Sequence, residues 1–345
     1  MFSRFQRFVS RIIRDSKPQA KSQRQQNAQR DLSCHAVAVE RSLDELKSRA
    51  EGGEGPNGMP LPNPIHAELT PQEVAGRRII LVGDVHGCYD ELVLLLDQEC
   101  RRQPDDVVIF VGDLVNKGPK SPEVVALARD IGAYAVRGNH DDSSLASYYK
   151  WANYRSGKGG KQKPDKREWV QQLTEQDVEW LHGLPFSLRI PSHNLLVVHA
   201  GLVPGIPLEQ QDLGQLYTMR FLEQATAKRK KSSSKRSLRS GYGSDSDGAD
   251  WEPVGSANDE TELWGKVWDG PEHVVFGHDA MRGLQLRRKA TGLDTGCVYG
   301  GRLTAIILPP VVGDGGSRPS APVGHGMLVS VKALKEYEKA KGKMR

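Results

Sequence analysis

Short apolar runs that stop abruptly at glycine and a polar residue are the main pattern along this chain. The first, residues 79–82, consists of Ile, Ile, Leu and Val and runs into Gly83, Asp84, Val85 and His86. A short aliphatic run closed by glycine predicts a buried strand. Open α/β sheets place their sites at the carboxyl ends of strands. The pattern therefore predicts a strand that delivers an oxygen ligand and an imidazole to a site.

The same pattern returns four times downstream. Residues 107–111 run into Gly112-Asp113, residues 133–136 into Arg137-Gly138-Asn139-His140, residues 195–198 into His199, and residues 273–277 into His278. Between the first strands lie stretches with helical character, at 91–103, 122–131 and 143–152. Strands that alternate with helices favour parallel βαβ units over a meander, so the sequence predicts an α/β fold.

The two ends of the chain and one internal segment differ in composition from this core. We expect residues 1–64 to be a basic tail with a Gly/Pro-rich linker, and residues 77–310 to be the folded domain. A low-complexity insert spans about 228–250. Residues 311–345 are expected to be a Gly/Pro linker and a basic segment.

Residues 1–14 place Phe, Val and Ile on one side of a helix and four arginines on another. This pattern is typical of a mitochondrial presequence or of a helix that contacts an anionic membrane surface. A solvated tail with incidental periodicity is the other interpretation, and both stay open. We expect a cytoplasmic protein, with the mitochondrion or a membrane-bound organelle such as the vacuole as alternatives.

The net charge of +5 conceals two basic segments and an acidic body. Residues 1–30 and 228–240 each carry a net +7, which leaves about −9 for the rest of the chain. Charge therefore does not indicate a sequence-specific nucleic-acid surface. The four cysteines form no CxxC pair, which favours a reduced compartment without a disulfide framework. No apolar run approaches the roughly 18 to 20 residues that span a bilayer, and nothing in the pattern indicates an oligomeric state.

The strand endings together offer two carboxylates, one amide oxygen and three imidazoles. These candidate metal ligands are Asp84, His86, Asp113, Asn139, His199 and His278. The set suits two divalent ions, manganese or zinc first and magnesium, iron or cobalt next, with one carboxylate shared. Ions about 3.5 to 4 Å apart can bridge a hydroxide and hold the attacking and leaving oxygens of a displacement at phosphorus. Such a site needs no serine or cysteine nucleophile.

Three further residues are candidates for the phosphate chemistry. His140 follows Asn139 directly, so it is a candidate general acid for the leaving oxygen. Lys117 and Arg220 are candidates to hold non-bridging phosphate oxygens, lysine as a point charge and arginine in forked geometry. Any one of these residues alone would more often be structural. Five buried strands that each end in a residue able to bind a metal or transfer a proton together favour a site for phosphoryl chemistry.

The motifs GDVHG, GDLVNKG, GNHD, HAG and GH, in that order over about residues 77–310, closely resemble the signature of the calcineurin-like metallophosphoesterases of the phosphoprotein phosphatase superfamily. The resemblance implies a β-sandwich of mixed sheets flanked by helices, in four α/β/β/α layers. It also implies that Asp84, His86 and Asp113 bind one ion. Asp113, Asn139, His199 and His278 would bind the second, and His140 would be the proton donor.

Departures from the protein-phosphatase motifs narrow the group. Ser/Thr phosphatases usually show GDxVDRG and GNHE, whereas this chain has Asn116, Lys117 and Asp141 at those places. Together with LDTGCVYGG at 293–301, these residues look like the ApaH-like phosphatases, relatives of bacterial diadenosine tetraphosphate hydrolases. That group includes a fungal zinc-dependent endopolyphosphatase and a trypanosome messenger-RNA decapping enzyme. A neutral Asn116 in place of the aspartate that would orient the acid weakens a protein-phosphatase interpretation.

The expected function is therefore hydrolysis of phosphoanhydride bonds by attack of a metal-bridged hydroxide. A polyanionic substrate is expected, either inorganic polyphosphate, as for an endopolyphosphatase, or a dinucleoside polyphosphate. The alternatives are a Ser/Thr protein phosphatase, a decapping-type pyrophosphatase, and a non-catalytic scaffold with this fold. The complete ligand set opposes the scaffold.

Overall fold

The computed structural model describes residues 53–157, 167–225, 250–311 and 326–340. The predicted amphipathic helix at 1–14 and nearly all of the insert at 228–250 lie outside these residues, so membrane contact and location stay predictions. In chain order the strands are β1 (His66–Glu68), β2 (Ile79–Val82), β3 (Val107–Phe110), β4 (Tyr134–Ala135), β5 (Ser187–Ile190), β6 (Leu195–Val198), β7 (Phe221–Gln224), β8 (Trp251–Val254), β9 (Thr261–Leu263), β10 (His273–Phe276), β11 (Gln285–Leu286), β12 (Ala290–Gly292), β13 (Arg302–Leu308) and β14 (Met327–Lys332). The α-helices are α1 (Pro71–Val74), α2 (Tyr89–Leu94), α3 (Ser121–Asp130), α4 (Asn139–Arg155), α5 (Glu175–His182), α6 (Leu213–Thr218) and α7 (Trp264–Val267).

Two mixed sheets form the body of the protein. One has the strand order β14-β13-β2-β3-β4, and its strands β2, β3 and β4 are parallel. The other has the order β1-β5-β6-β10-β12-β11, with β6, β10 and β12 parallel. Helix α2 follows β2 and α3 follows β3, so the parallel βαβ units predicted from the alternation are confirmed.

The hydrophobic core consists of three clusters, one between the two sheets and one on the outer face of each sheet. Both faces of each sheet contribute because successive residues of a strand face opposite sides. Ile79 and Leu81 of β2 pack toward Leu195 and Val197 of β6 between the two sheets. The alternate residues of β2 pack against the helices on the outside of the first sheet. Helices α6 and α7 cover the outside of the second sheet. The four-layer α/β/β/α arrangement is thus confirmed, and strands buried on both faces explain the continuous apolar runs.

The folded region extends beyond both boundaries expected from the sequence. Strand β1 pairs in parallel with β5, and the side chains of Met59 and Leu69 are buried, so residues in front of Arg77 belong to the fold. Strand β14 pairs with β13 along six residues. Residues 77 and 310 therefore do not delimit the folded chain, because an edge strand three residues long and a strand beyond a Gly/Pro stretch carry little pattern of their own.

Two local features position the site. Helix α4 begins at Asn139, earlier than the predicted start at 143, because Gly138 is the N-cap and the Asp141 carboxylate accepts the Gly138 N–H at 2.9 Å. A small antiparallel sheet of β8, β7 and β9, which the sequence did not predict, starts directly after Arg220. Within the described part of the chain, no helix has the length and apolar character needed to cross a bilayer, and Cys88, Cys100 and Cys297 are free thiols.

Candidate metal centre

The carboxyl ends of the strands in the two sheets meet at one edge of the sandwich. Asp84 and His86 follow β2, Asp113 follows β3, Asn139 and His140 follow β4, His199 follows β6, and His278 follows β10. Contacts across the sheets join these loops. The His278 N–H donates to the Asp84 carboxylate at 3.0 Å, and the Gly277 N–H donates to the His199 carbonyl at 2.8 Å. The structure thus brings the loops that carry the six predicted metal-ligating residues to one edge, and the ligand atoms of His86, Asp113, His199 and His278 fall into two groups there.

Asp113 lies at the centre of the site. Its Oδ2 atom is 3.4 Å from Nε2 of His86 and 3.4 Å from Nε2 of His199. Two groups of ligand atoms therefore share this carboxylate, one with His86 and His140 and one with His199 and His278. Burial opposes ionisation, but His199, whose own pKa Asp113 raises, holds the pKa of Asp113 well below its usual value. A shared, ionised carboxylate between two groups of nitrogen donors is an arrangement that suits two cations.

Hydrogen bonds fix which nitrogen of each imidazole faces the site. Nδ1 of His86 donates to the Val115 carbonyl at 3.1 Å, and Nδ1 of His199 donates to the Val111 carbonyl at 2.8 Å. Nε2 of each ring then carries the lone pair, and it is the nitrogen that faces Asp113. In His278 the roles are reversed, because Nε2 bonds the Thr218 carbonyl at 3.0 Å and leaves Nδ1. Backbone carbonyls that orient imidazoles in this way are typical of metal sites.

Two buried atoms among these residues have no hydrogen-bond partner. They are Oδ1 of Asn139 and Nε2 of His199. An unsatisfied buried polar atom costs roughly 1 to 3 kcal/mol, so native proteins rarely keep one without a reason. A cation next to Asp113 would satisfy both atoms.

The electrostatics of the buried carboxylates also favour a bound cation. Burial, together with Asp294 and Asp113, raises the pKa of Asp84 well above its usual value. Burial and Lys117 lower the pKa of His86 well below its usual value, so this ring is neutral and can act as a ligand. Buried carboxylates that repel one another become stable when a cation lies between them. The residues present therefore fit bound metal ions.

The region from β2 to the turn between β11 and β12 matches one protein family. Residues 77–289, more than half of the chain, match the family model described as calcineurin-like phosphoesterase. The chain belongs to the calcineurin-like phosphoesterases. It is thus a hydrolase of a metal-dependent family, as the strand endings predicted.

Individual relatives of this phosphoesterase confirm the resemblance to the ApaH-like group. An asymmetrical bis(5'-nucleosyl)-tetraphosphatase from Halalkalibacterium halodurans is 29% identical over 67% of this chain and 90% of its own length. The zinc-dependent endopolyphosphatase of Saccharomyces cerevisiae is 26% identical over 67% of this chain and 75% of its own length. A crystal structure of a protein assigned as a diadenosine tetraphosphatase has 34% sequence identity and a TM-score of 0.58, and covers 78% of this chain and 97% of that one.

The predicted acid of this phosphoesterase, His140, lies against the first group of ligands. Its ring is 4.9 Å from the ring of His86, edge to face, and its backbone N–H donates to Asp113 Oδ1 at 2.8 Å. Asn116 donates its Nδ2–H to Nδ1 of His140 at 2.8 Å. Burial lowers the pKa of His140 to about 4 despite the nearby Asp113. The ring is therefore neutral at pH 7, and its single proton is on Nε2.

The two predicted phosphate-binding cations lie at opposite ends of the site. Nζ of Lys117 is 2.7 Å from Nε2 of His86 and lies over the ring of Tyr299, at 5.2 Å from its centre. The ammonium thus places a positive charge next to this imidazole. At the other end, Arg220 donates to the His278 carbonyl at 3.0 Å and is 3.6 Å from the Asp279 carboxylate. Arg220 remains 39% exposed, so a phosphate can reach it.

Two acidic residues of the site escaped the sequence analysis. The carboxylate of Asp141 accepts the N–H groups of Asp113 and Leu114, at 2.8 and 2.9 Å, and so fixes the loop after β3. Asp294 is buried next to Asp84, and burial raises its pKa. In the sequence, Asp141 stands out only as a departure from a motif, and Asp294 only as part of the 293–301 stretch that resembles the ApaH-like group. An acid followed by glycine after a strand, as at 294–296, was the signal that could have found Asp294.

Proposed function

We propose that this phosphoesterase hydrolyses phosphoanhydride bonds in dinucleoside polyphosphates or inorganic polyphosphate. The observation that carries the proposal is the placement of Lys117 and Arg220. One lies at His86 and the other at His278, so the ligand groups around Asp113 have a cation at each end. A chain of phosphates carries negative charge on both sides of the bond that breaks, whereas a phosphomonoester carries it on one. The site therefore matches an extended polyphosphate.

We propose that two ions bind in this site. Asp84, His86 and Asp113 would hold the first. Asp113, Asn139, His199 and His278 would hold the second. The mixture of nitrogen and oxygen donors suits manganese or zinc, with magnesium, iron or cobalt as further candidates. Ions bound there supply activation of water and neutralise charge on the phosphoryl group.

The chain's own residues complete the chemistry. Nε2–H of the neutral His140 lies beside His86 and Asp113, so it can hydrogen-bond the oxygen that leaves. Lys117 and Arg220 orient the phosphates on either side of the reacting one. A phosphate leaving group requires less protonation than an alkoxide, so a neutral imidazole is adequate for an anhydride.

The relatives support this substrate class. A bis(5'-nucleosyl)-tetraphosphate and polyphosphate share phosphates joined by anhydride bonds. The relatives differ in what is attached to the ends of that chain. The shared chemistry therefore lies in the phosphate chain, which is the part that the two cationic ends of this site would contact.

Steady-state assays of the purified full-length chain with manganese, zinc or magnesium test the proposal. The substrates are diadenosine tetraphosphate, long-chain polyphosphate, capped RNA and a phosphoserine peptide. We expect turnover of the first two to exceed that of the peptide by at least about 100-fold in kcat/KM, which corresponds to about 2.7 kcal/mol. Turnover of the peptide alone would identify a protein phosphatase.

Asp113→Asn is the inactive variant that shows whether the measured activity comes from this site. It keeps the shape of the side chain but removes the charge shared by the two ligand groups. We expect loss of turnover and of bound metal with a retained fold, measured by circular dichroism and by metal analysis of the dialysed protein. Unchanged activity in this variant would place the reaction at a different site.

A further inference from the structure

A buried polar cluster lies behind the second group of ligands. We propose that Arg137, Asp142, Tyr217 and Asn57, called here the positioning cluster, hold the segments that carry Asn139 and His278 in the geometry that the second ion requires. The inference rests on the two-ion site proposed above. None of the four residues is a candidate ligand, so each would act through the residues that it holds.

The centre of the positioning cluster is a fully buried ion pair. Arg137 and Asp142 are both 0% exposed, and Nη1 of Arg137 donates to Asp142 Oδ1 at 3.2 Å. Nη2 donates to the His182 carbonyl at 2.6 Å, and the guanidinium lies 5.3 Å from the centre of the Phe186 ring. A buried ion pair is a poor source of stability, because desolvation offsets much of the attraction. Fixing a local geometry is the role for such a pair that the contacts support.

The second oxygen of Asp142 joins two distant segments to the pair. It accepts Nδ2–H of Asn57 at 2.8 Å and the hydroxyl of Tyr217 at 3.1 Å. The Tyr217 ring stacks on Phe186, with centres 5.7 Å apart and planes inclined by 21°. Asn57 comes from the turn before β1, where the Gly55 N–H donates to the Met59 carbonyl. One carboxylate thus ties together the turn at 53–61, the start of α4 and the end of α6.

Both tied elements carry parts of the second group of ligands. Arg137 precedes Asn139 by two residues, and Asp142 follows it by three, on the first turn of α4. Tyr217 is followed by Thr218, whose carbonyl accepts the Nε2–H of His278. A shift of α6 relative to α4 would therefore move the His278 ring relative to Asp113 and His199, with which it forms one group of ligand atoms. Outer hydrogen bonds of this kind typically change metal affinity or activity 10- to 100-fold when they are removed.

Tyr217→Phe tests the inference in the full-length protein, because it removes one oxygen and keeps the ring that stacks on Phe186. Manganese binding is measured by titration of the metal-free protein, together with kcat and KM for diadenosine tetraphosphate. We expect one of the two ions to bind at least about 10-fold less tightly, the other to keep its affinity, and kcat to fall with little change in KM. Tyr134→Phe is the matched control, because its hydroxyl donates to Glu73 at 3.0 Å, away from the site.

Asn57→Ala is a second variant that leaves the buried ion pair intact. Asn57 is exposed, so this substitution separates positioning from folding. It should weaken the same ion as Tyr217→Phe does. Wild-type affinity for both ions in Tyr217→Phe and Asn57→Ala would overturn the inference. So would an equal loss of affinity for both ions together with a lower melting temperature, since that result indicates a merely structural role. If the wild type bound fewer than two ions, the two-ion site itself would be wrong, and the inference with it.

Discussion

At the scale of single residues, the contact between Asn116 and His140 determines where the candidate acid carries its proton. An amide nitrogen can only donate, so Nδ1 of His140 must accept, and the ring proton is on Nε2. A carboxylate at the same position could only accept and would require a proton on Nδ1. Asn116 therefore orients the imidazole although its side chain is neutral. The ring that Asn116 orients is neutral, whereas a carboxylate at this position would favour the cationic ring.

Asn116→Asp should change the leaving-group preference of the enzyme. A carboxylate beside Nδ1 stabilises the charged imidazole, so it raises the pKa of His140 from about 4 toward neutrality. A cationic His140 protonates an alkoxide leaving group better than a neutral one does. We expect kcat for a phosphomonoester, relative to that for diadenosine tetraphosphate, to rise by about 10-fold or more at pH 6 and by less at pH 8.

Asn258→Asp provides the control, because Asn258 lies in an exposed turn where its Oδ1 accepts the Glu260 N–H and a carboxylate can do the same. This variant should retain the wild-type ratio at both pH values. An unchanged ratio in Asn116→Asp would mean that His140 does not protonate the leaving group.

At the scale of elements, the site depends on loops that approach one another closely. His86, Asp113 and His278 all have left-handed backbone conformations, with φ of 47°, 51° and 68°. Such conformations are uncommon for residues other than glycine and cost energy, which the surrounding contacts must supply. For Asp113 these contacts include the bond from its N–H to Asp141. The strands place the ligands at one edge, and the loop contacts orient them.

Gly138→Ala should therefore damage the site more than the fold. A methyl group at Gly138 would collide with the backbone N and the Oδ1 atom of Asp113. Asp113 is the residue that both groups of ligand atoms share. The φ of Gly138 is −85°, so alanine is not strained there by its own backbone. We expect kcat/KM to fall by at least about 100-fold, since small displacements of catalytic groups cost that much. Steady-state kinetics and metal content measure the effect.

Gly183→Ala is the matched control for this substitution. Gly183 is the C-cap of α5 with φ of −73°, and a methyl group there would meet no atom closer than 3.4 Å. It should leave kcat/KM unchanged. Equal effects of the two substitutions on activity would contradict the special role of the loop at 138.

At the scale of the whole molecule, the sequence predicted the four layers and the strands buried on both faces, but not the edge strands. Strands such as β2 are buried on both faces, so their composition alone identifies them. Strands β1 and β7 are short and partly exposed, and β14 pairs only through contacts distant in sequence, so local pattern predicted none of them. The sequence did not predict the roles of Asp141 and Asp294 for a similar reason. A carboxylate that accepts backbone N–H groups is recognised only once those groups are placed around it.

The interior also makes the stability of the protein depend on pH away from the metal centre. Burial, with a smaller contribution from Arg137, lowers the pKa of His182 to about 3, and Nε2 of this ring contacts the Tyr149 hydroxyl at 2.7 Å. The unfolded chain takes up a proton at His182 below about pH 6.5, whereas the folded chain does so only near pH 3. In that window the unfolded state binds more protons, so the free energy of unfolding falls as the pH falls.

His182→Gln removes this contribution to the pH dependence. Between pH 6 and 4, we expect the free energy of unfolding of the variant to fall by up to about 1.4 kcal/mol less per pH unit than that of the wild type. Urea unfolding of both proteins with a chelator present measures the difference, because the histidines of the metal centre then contribute equally to both. Parallel pH dependence in the two proteins would show that the His182 ring is accessible to protons in the folded state.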